Sequence, residues 1–394
     1  MSRLGLQPAV AGRALWRRRR GPRRQLLTRP VVRAVLALVV VFLFWFAWSM
    51  GAALTAPGTD SVSSRVAEWA RDHYLGPLVT LGEWITYQPP KVGGRPSSAL
   101  TAPGARPPAA GPGSGRPTAD VPPRLVSPAG PPLPGEGSWR VLGTVRGVPA
   151  VYATYVRADA THTSYVAAAV SLDQRLVRFQ LHPGLEDPGP ANWGVPPTIP
   201  ARSRSGLLAT FNGGFKIDAS GGGFYLNGLT RGTLTNGAAS LVFYRDGRVD
   251  VGVWGPALHL TSQVAGVRQN LRPIVDHGVV PATVDTNIES GWGATLGGAY
   301  DVWRSGVGIT RDGRVVYVYG PALSVRTLAD LLQRAGCVEA MQLDINPAWM
   351  SFMYYRPRHH PADPTPVNLL PGQQQPAGRY YEPSSRDFTA VYAR

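Results

Sequence analysis

The chain has 394 residues, 40 Lys and Arg against 24 Asp and Glu, and a net charge of +16. With 44% hydrophobic residues it is too apolar for a wholly disordered chain, and its single cysteine excludes an internal disulfide. The excess charge is local: ten arginines lie at or before Arg33 and no acid precedes Asp60, leaving +16 − 10 = +6 for everything else.

Residues 1–33 therefore form a basic tail, and residues 34–56 read as a transmembrane helix. Val35 to Leu54 is a run of twenty uncharged residues, about the length that crosses a bilayer as a helix. Arginines before the run and few basic residues just after it place the tail in the cytoplasm and the rest of the chain outside a plasma membrane. The small residues Gly51, Ala52, Ala53 and Ala56 also suit a cleaved export signal; the length of the apolar run favours a retained anchor. Because the basic tail adjoins this run, anionic lipid explains it better than nucleic acid, and no nucleic-acid partner is expected.

Residues 57–87 read as a juxtamembrane helical segment. Asp60 or Ser61 caps it, Val62, Val66 and Trp69 share a face, and Gly76-Pro77 breaks it. It is either a stalk or dimer contact, or a helix on the outer bilayer surface. Residues 88–137, rich in Pro, Gly, Ser and Ala, read as a disordered tether, with a reach on the order of 100 Å when extended.

Residues 138–394 are the globular part, expected to be α+β: a mixed, mostly antiparallel sheet core with few helices. Strands are predicted at Trp139–Val145, Ala150–Val156, Ser164–Leu172, Leu207–Phe211, Leu241–Tyr244, Val249–Trp254, Gly306–Thr310, Val315–Val318 and Phe388–Tyr392. Asp246-Gly247 and Asp312-Gly313 predict hairpin turns. One helix is predicted over Leu328–Ala335, with a capping box of Thr327 and Asp330 and a stop at Gly336. Pro357 to Pro383 is a Pro-rich excursion, a loop over a site or a mobile flap.

Some candidate chemistry is weak. Cys337, between helix and strand, reads as a buried small hydrophobe rather than a nucleophile. No Cys-His cluster or HExxH spacing points to a metal, His359-His360 reads as a solvated loop, and no helix follows Gly221-Gly222-Gly223 to make a dinucleotide site. No cofactor and no obligate protein partner is expected.

Three segments carry more. Val338 to Leu343 is an apolar strand running into Asp344, with Pro347 forbidding its continuation. A carboxylate at the mouth of a core strand is costly to bury unless it is paired or used. Asn212-Gly213-Gly214-Phe215 follows another strand, and its glycines permit positive φ and close approach of backbone N–H groups to a ligand. Arg304, at the expected start of the Gly306–Thr310 strand, can grip a phosphate or carboxylate. Asn346 and Trp349 offer polar and stacking contacts beside Asp344, and Asp276, Asp285 and Glu289 are reserve carboxylates.

Taken in order, Phe211 to Phe215, Arg304 to Gly308, Gly308-Ile309-Thr310-Arg311-Asp312-Gly313-Arg314, the helix with Gly336-Cys337, and Ala340 to Asp344 resemble the phosphodiester glycosidase family. The resemblance covers roughly Ser138 to Tyr355. It departs at Ile345-Asn346-Pro347-Ala348-Trp349-Met350, where the family usually has a glycine run ending in serine. The resemblance, together with the N-terminal span, implies a membrane-tethered, extracytoplasmic hydrolase of sugar-1-phosphodiester or related cell-envelope glycan bonds. Arg304 and the Asn212-Gly213-Gly214 amides would hold the phosphodiester, Asp344 would act at the anomeric carbon, and Asn346 would bind a sugar hydroxyl. Phe215, Trp349 and Glu289 would complete the substrate contacts. The departure supports an alternative, a catalytically lapsed protein that binds envelope polysaccharide; a purely structural envelope protein is a third reading.

Overall fold

The computed structural model describes residues 30–97, 121–255, 257–286, 289–295, 298–357 and 363–394, without the side chains of residues 289 and 290. Most of the basic tail, part of the Pro/Gly-rich tether and His359-His360 lie outside these residues. Two units are present, Met1–Thr55 and Ala56–Arg394. In the first, α1 (Pro30–Leu54) buries no residue. It is long and apolar enough to cross a membrane, and its place near the N-terminus also suits an export signal.

The second unit begins with α2 (Val62–Asp72) and α3 (Gly76–Thr86). Ser61, not Asp60, caps α2: its Oγ accepts the Ser64 amide at 3.1 Å. Gly76-Pro77 does interrupt the helical segment, with Pro77 in the first turn of α3, where its missing N–H costs nothing.

The strands follow as β1 (Arg140–Val145), β2 (Val148–Val156), β3 (Ala167–Leu172), β4 (Val177–His182), β5 (Leu207–Asn212), β6 (Phe224–Leu226), β7 (Leu229–Arg231), β8 (Ala239–Tyr244), β9 (Val249–Val253), β10 (Val264–Gln269) and β11 (Pro273–Val275). After the short helix α4 (Glu289–Trp292) come β12 (Val302–Thr310), β13 (Val315–Leu323), α5 (Val325–Arg334), β14 (Cys337–Gln342), β15 (Phe352–Arg356), β16 (Thr365–Asn368) and β17 (Phe388–Ala393). They build one seven-stranded sheet, β1-β2-β3-β13-β12-β14-β11, and two five-stranded sheets, β7-β6-β10-β8-β9 and β16-β15-β5-β17-β4. Among the described residues every pairing between these strands is antiparallel, where a mixed, mostly antiparallel core was expected.

The main core lies among the three sheets, with Val151, Phe179, Phe211, Leu241, Tyr317 and Phe352 buried together. The other face of the large sheet is covered by α5, whose Leu328, Leu331 and Leu332 pack with Val316, Val318 and Ala340. At Asp246-Gly247 and Asp312-Gly313 the glycines take φ of +82° and +80°, as tight hairpin turns require.

Three expectations shift. The helix starts three residues early and its capping box is Ser324 with Thr327, because the Ser324 Oγ reaches the Thr327 amide at 3.0 Å. Strand β12 starts at Val302, since Val302 already pairs with Leu323, so Arg304 lies inside the strand rather than at its mouth. Residues 121–137, expected in the tether, are packed onto the sheets. Leu125 is buried, the Trp139 Nε1 donates to the Pro123 carbonyl at 2.7 Å, and the buried Glu136 carboxylate binds Arg157 at 2.9 Å. A few anchors spaced through Pro and Gly suffice to dock the segment, and bulk composition hides them. The Pro-rich excursion is ordered where described: β16 pairs with β15, and the segment carries Arg379 and Tyr380 into the interior.

The Glu136–Arg157 pair makes that packing testable. Glu136→Ala strands a nearly buried guanidinium, so the full chain loses about 3 kcal/mol or more, and Leu125→Ala loses about 2–5 kcal/mol. Thermal melts of both variants check this; a free tether would leave both melting points unchanged.

Candidate active site

Strands from all three sheets deliver the site. Asn212 ends β5, Arg268 sits near the end of β10, Asp344 lies two residues past β14, and Arg386-Asp387 precede β17. All five side chains are buried.

The foundation is the pair of Arg268 and Asp387, each side chain 1% exposed, with Nε donating to the carboxylate at 3.0 Å. The Arg268 guanidinium also donates to the carbonyls of Gln269, at 2.8 Å, and of Phe215. Burial alone would lower its pKa, but Asp387, Asp187 and Asp344 together outweigh burial and hold it charged. The Gly213-Gly214 bend lies directly on this pair. A Cβ on Gly213 would stand 2.0 Å from an Asp387 carboxylate oxygen, and one on Gly214 would meet Arg268 and Asn270 at 3.1 Å. Neither glycine has a positive φ. Their small size, not left-handed backbone, is what the site uses, which corrects the positive-φ expectation.

Asn212 and Ser305 tie this bend to Asp344. The Asn212 amide donates to the Gly213 carbonyl at 2.9 Å and to the Ser305 hydroxyl at 3.1 Å. Its oxygen accepts from the Tyr317 hydroxyl at 2.7 Å and the Ser351 amide at 3.2 Å. Ser305 in turn donates to the Asp344 carbonyl at 2.7 Å, and the Asp344 amide donates to the Gly213 carbonyl at 3.1 Å. Asn212 is thus a saturated brace behind the carboxylate.

Asp344 itself is 4% exposed, and burial, the largest cause, pushes its pKa up to about 6. The nearby Glu68 adds to the rise, while Arg386, the Asn346 amide at 2.9 Å and Arg268 pull it back. Asn346 forms a turn with its oxygen on the Ala348 amide at 2.9 Å. Trp349, 3% exposed, has the guanidinium of Arg386 at 5.0 Å and that of Arg379 at 5.3 Å from its ring centre. Such cation–π contacts hold both cations beside the carboxylate loop. Nε and one Nη of Arg386, and Nε of Arg379, are buried without a hydrogen bond among the described residues.

Helix α2 covers these cations. Glu68 binds Arg386 at 2.9 Å and also pairs with Lys216. Just before the helix, Asp60 lies 3.5 Å from Arg379 and accepts from the Ser385 and Gln375 side chains. Burial pushes the Glu68 pKa up, but Arg386, Lys216 and Arg71 together outweigh it and keep the group ionised.

The other predicted site residues fall elsewhere or play supporting parts. Side chains alternate along β12, so Ser305 faces Asn212 while Arg304 faces the α5 side of the sheet. Arg304 donates to the carbonyls of Leu323 at 2.8 Å and Tyr300 at 3.2 Å and to the Gln342 side chain at 3.1 Å. Burial lowers its pKa to about 10. The structure does not bring Arg304 to Asp344; Arg386 and, more weakly, Arg268 supply the positive charge there. The Phe215 amide donates to the Asn270 side chain at 3.1 Å, and its ring packs at Gly293. Glu289 begins α4, and its side chain lies outside the described part. Arg268, Arg379, Arg386, Asp387 and Lys216 were not singled out from sequence. Arg386-Asp387 precede a predicted strand, the position that marked Asp344, and that signal could have found them.

Residues 205–344 match the model of the Phosphodiester glycosidase family. No curated protein matches the chain. Among solved structures, the fold is similar to the zebrafish N-acetylglucosamine-1-phosphodiester alpha-N-acetylglucosaminidase catalytic domain auto-inhibited by pro-peptide, at 12% identity over 65% of this chain and 88% of that one, TM-score 0.40. A hypothetical protein from Synechocystis is similar at 11% identity over 63% of each chain, TM-score 0.36. A putative exported protein from Burkholderia pseudomallei is similar at 10% identity over 59% of this chain and 74% of that one, TM-score 0.32. The resemblance seen in the sequence motifs is borne out over the matched segment, which ends at Asp344, where the loop departs from the family pattern.

The raised pKa of Asp344 has a stability consequence. The native state holds this proton more tightly than the unfolded chain does. The cost of ionising the group is absent below about pH 4 and complete above about pH 6. Asp344→Asn therefore stabilises the protein by up to about 3 kcal/mol at pH 7 to 8 and has little effect at pH 4. Melting curves across this range check it; equal shifts at both ends would refute the buried-carboxylate assignment.

Proposed function

From the phosphodiester glycosidase segment at residues 205–344, we propose that this chain is a membrane-anchored, extracytoplasmic hydrolase of sugar-1-phosphodiester or related cell-envelope glycan bonds. The observation that carries the reading is the buried Asp344 beside Arg386, a cation with two N–H groups that make no hydrogen bond among the described residues. A carboxylate for the anomeric carbon and a cation for the leaving phosphate are the two charges such a reaction needs.

In this reading Arg386, with Arg379 and Lys216, binds the phosphodiester. Asp344 stabilises or attacks the anomeric carbon, or activates water there. The phosphate departs as a good leaving group, so a strong general acid is not required. Asn212, Ser305 and the Arg268–Asp387 pair position the Asp344 backbone and touch no substrate atom. Arg304 contributes through Gln342 on the far side of the sheet. Asp60 and Glu68 occupy the cations that the phosphodiester would use, so substrate and α2 compete. A second reading, glycan binding without turnover, is favoured by Pro347 and Trp349 in place of the glycine run; saturable binding with no product would support it.

The test is release of sugar from a sugar-1-phosphodiester by the full chain. Asp344→Asn should cost on the order of 10²–10⁴ in kcat. Arg386→Ala should lower kcat/KM, and Glu68→Gln should raise it on the order of tenfold, equivalent to about 1.4 kcal/mol of lost competition. Activity should fall as pH drops through about 6, and that midpoint should move lower in Glu68→Gln, because the Glu68 charge raises the Asp344 pKa. Unchanged turnover in both Asp344→Asn and Arg386→Ala would refute the assigned roles.

A further inference from the structure

Helix α3 is built the wrong way round for a helix on a water-soluble surface. Tyr74 lies in the left-handed turn before it, at φ +63°, and within it Leu78, Leu81 and Ile85 follow i, i+3, i+7 spacing and so share one face. They are 96%, 64%, 52% and 69% exposed, and Trp84 beside them is 61% exposed. The one charged residue of the helix, Glu83, turns the other way and binds Arg71 of α2 at 2.5 Å. A surface helix ordinarily turns such a stripe to the core and its charges to water; here the ion pair faces the protein and the apolar stripe faces out.

Only residues 55 to 75, twenty-one in all, separate α3 from α1, the helix long enough to span a bilayer. Tyr74 near one end of the stripe and Trp84 near the other have the amphipathic rings favoured at the headgroup level. We infer that α3 lies in the headgroup–acyl boundary of the membrane that α1 crosses, with Leu78, Leu81 and Ile85 turned into the lipid. A second copy of the chain is the weaker occupant: a stripe of five side chains covers roughly a few hundred Å², short of the ~800 Å² per partner of a stable interface. The assignment is independent of catalysis at Asp344. The Arg71–Glu83 pair ties this lipid-facing helix to α2, the segment that carries Glu68.

The test uses the full chain in nanodiscs of phosphatidylcholine with a minority of phosphatidylglycerol. Single cysteines are placed at Leu78→Cys, Leu81→Cys, Ile85→Cys and, off the stripe, Thr80→Cys, in a Cys337→Ala background, and labelled with an environment-sensitive fluorophore. Doxyl-labelled lipid should quench the three stripe positions several-fold more than position 80, and aqueous iodide should show the reverse order. Adding Leu81→Asp and Ile85→Asp should abolish lipid quenching at position 78 while leaving the melting point unchanged, since both side chains are exposed. Equal iodide access at all four positions would overturn the proposal. So would protection from both quenchers with efficient disulfide cross-linking through Leu81→Cys, which would assign the stripe to a second copy.

Discussion

The contact of the Gly213-Gly214 bend with the Arg268–Asp387 pair is the constraint on which the site rests. A charged pair with both side chains 1% exposed is tolerable only when its remaining hydrogen-bonding capacity is met. Arg268 meets it with the carbonyls of Gln269 and Phe215; separately, the Gly213 amide donates to the backbone carbonyl of Asp387 at 3.0 Å. These bonds draw the end of β5, the end of β10 and the start of β17 to one point. Through the Gly213 carbonyl they also fix the Asp344 amide. A side chain on Gly213 would collide with the carboxylate and separate the strands that aim Asp344.

Charge balance follows from that geometry. Arg268 binds Asp387 at 3.0 Å and Arg386 binds Glu68 at 2.9 Å, and the two arginines share Asp187, each at 3.9 Å. Glu68 thus has two effects on the cleft. It neutralises Arg386 and Lys216, and it makes Asp344 harder to ionise. Withdrawing α2 would expose two cations and lower the Asp344 pKa together. Both changes favour an anionic ligand and an ionised carboxylate, so under the proposed function the docking of α2 restrains the cleft.

Much of this was legible in sequence, where local pattern and tertiary role coincide. Asp344 stood out because an apolar strand ends in a carboxylate and Pro347 follows; Asn212 to Phe215 stood out because two glycines follow a strand. Arg304 misled because strand ends are poorly defined by composition. Starting β12 at Val302 instead of Gly306 turns an arginine at a strand mouth into one facing α5. Arg268 gave no local signal, since a charged residue in Val264–Gln269 reads as a solvent-facing position, and only its partner 119 residues away shows that it is buried. The acids in and just before α2 were hidden similarly: Asp60 was read, with Ser61, as one of two candidate helix caps, while its carboxylate is turned to Arg379 and Ser385.

The altered loop after Asp344 can be understood in the same terms. A glycine run would offer free amides to an anion. Here Pro347 has no N–H, the Asn346 amide is taken by Asp344, and the Ala348 amide is taken by Asn346. The loop therefore cannot serve as an amide cradle. What it supplies is Trp349, with a guanidinium 5.0 Å and another 5.3 Å from its ring centre, whose owners retain buried N–H groups without hydrogen bonds among the described residues. Under the proposed function, recognition of the phosphodiester passes from backbone dipoles to side-chain cations held on an indole. Cations on side chains can be screened by another part of the same chain in a way that fixed amides cannot, and Asp60 and Glu68 are placed to do that.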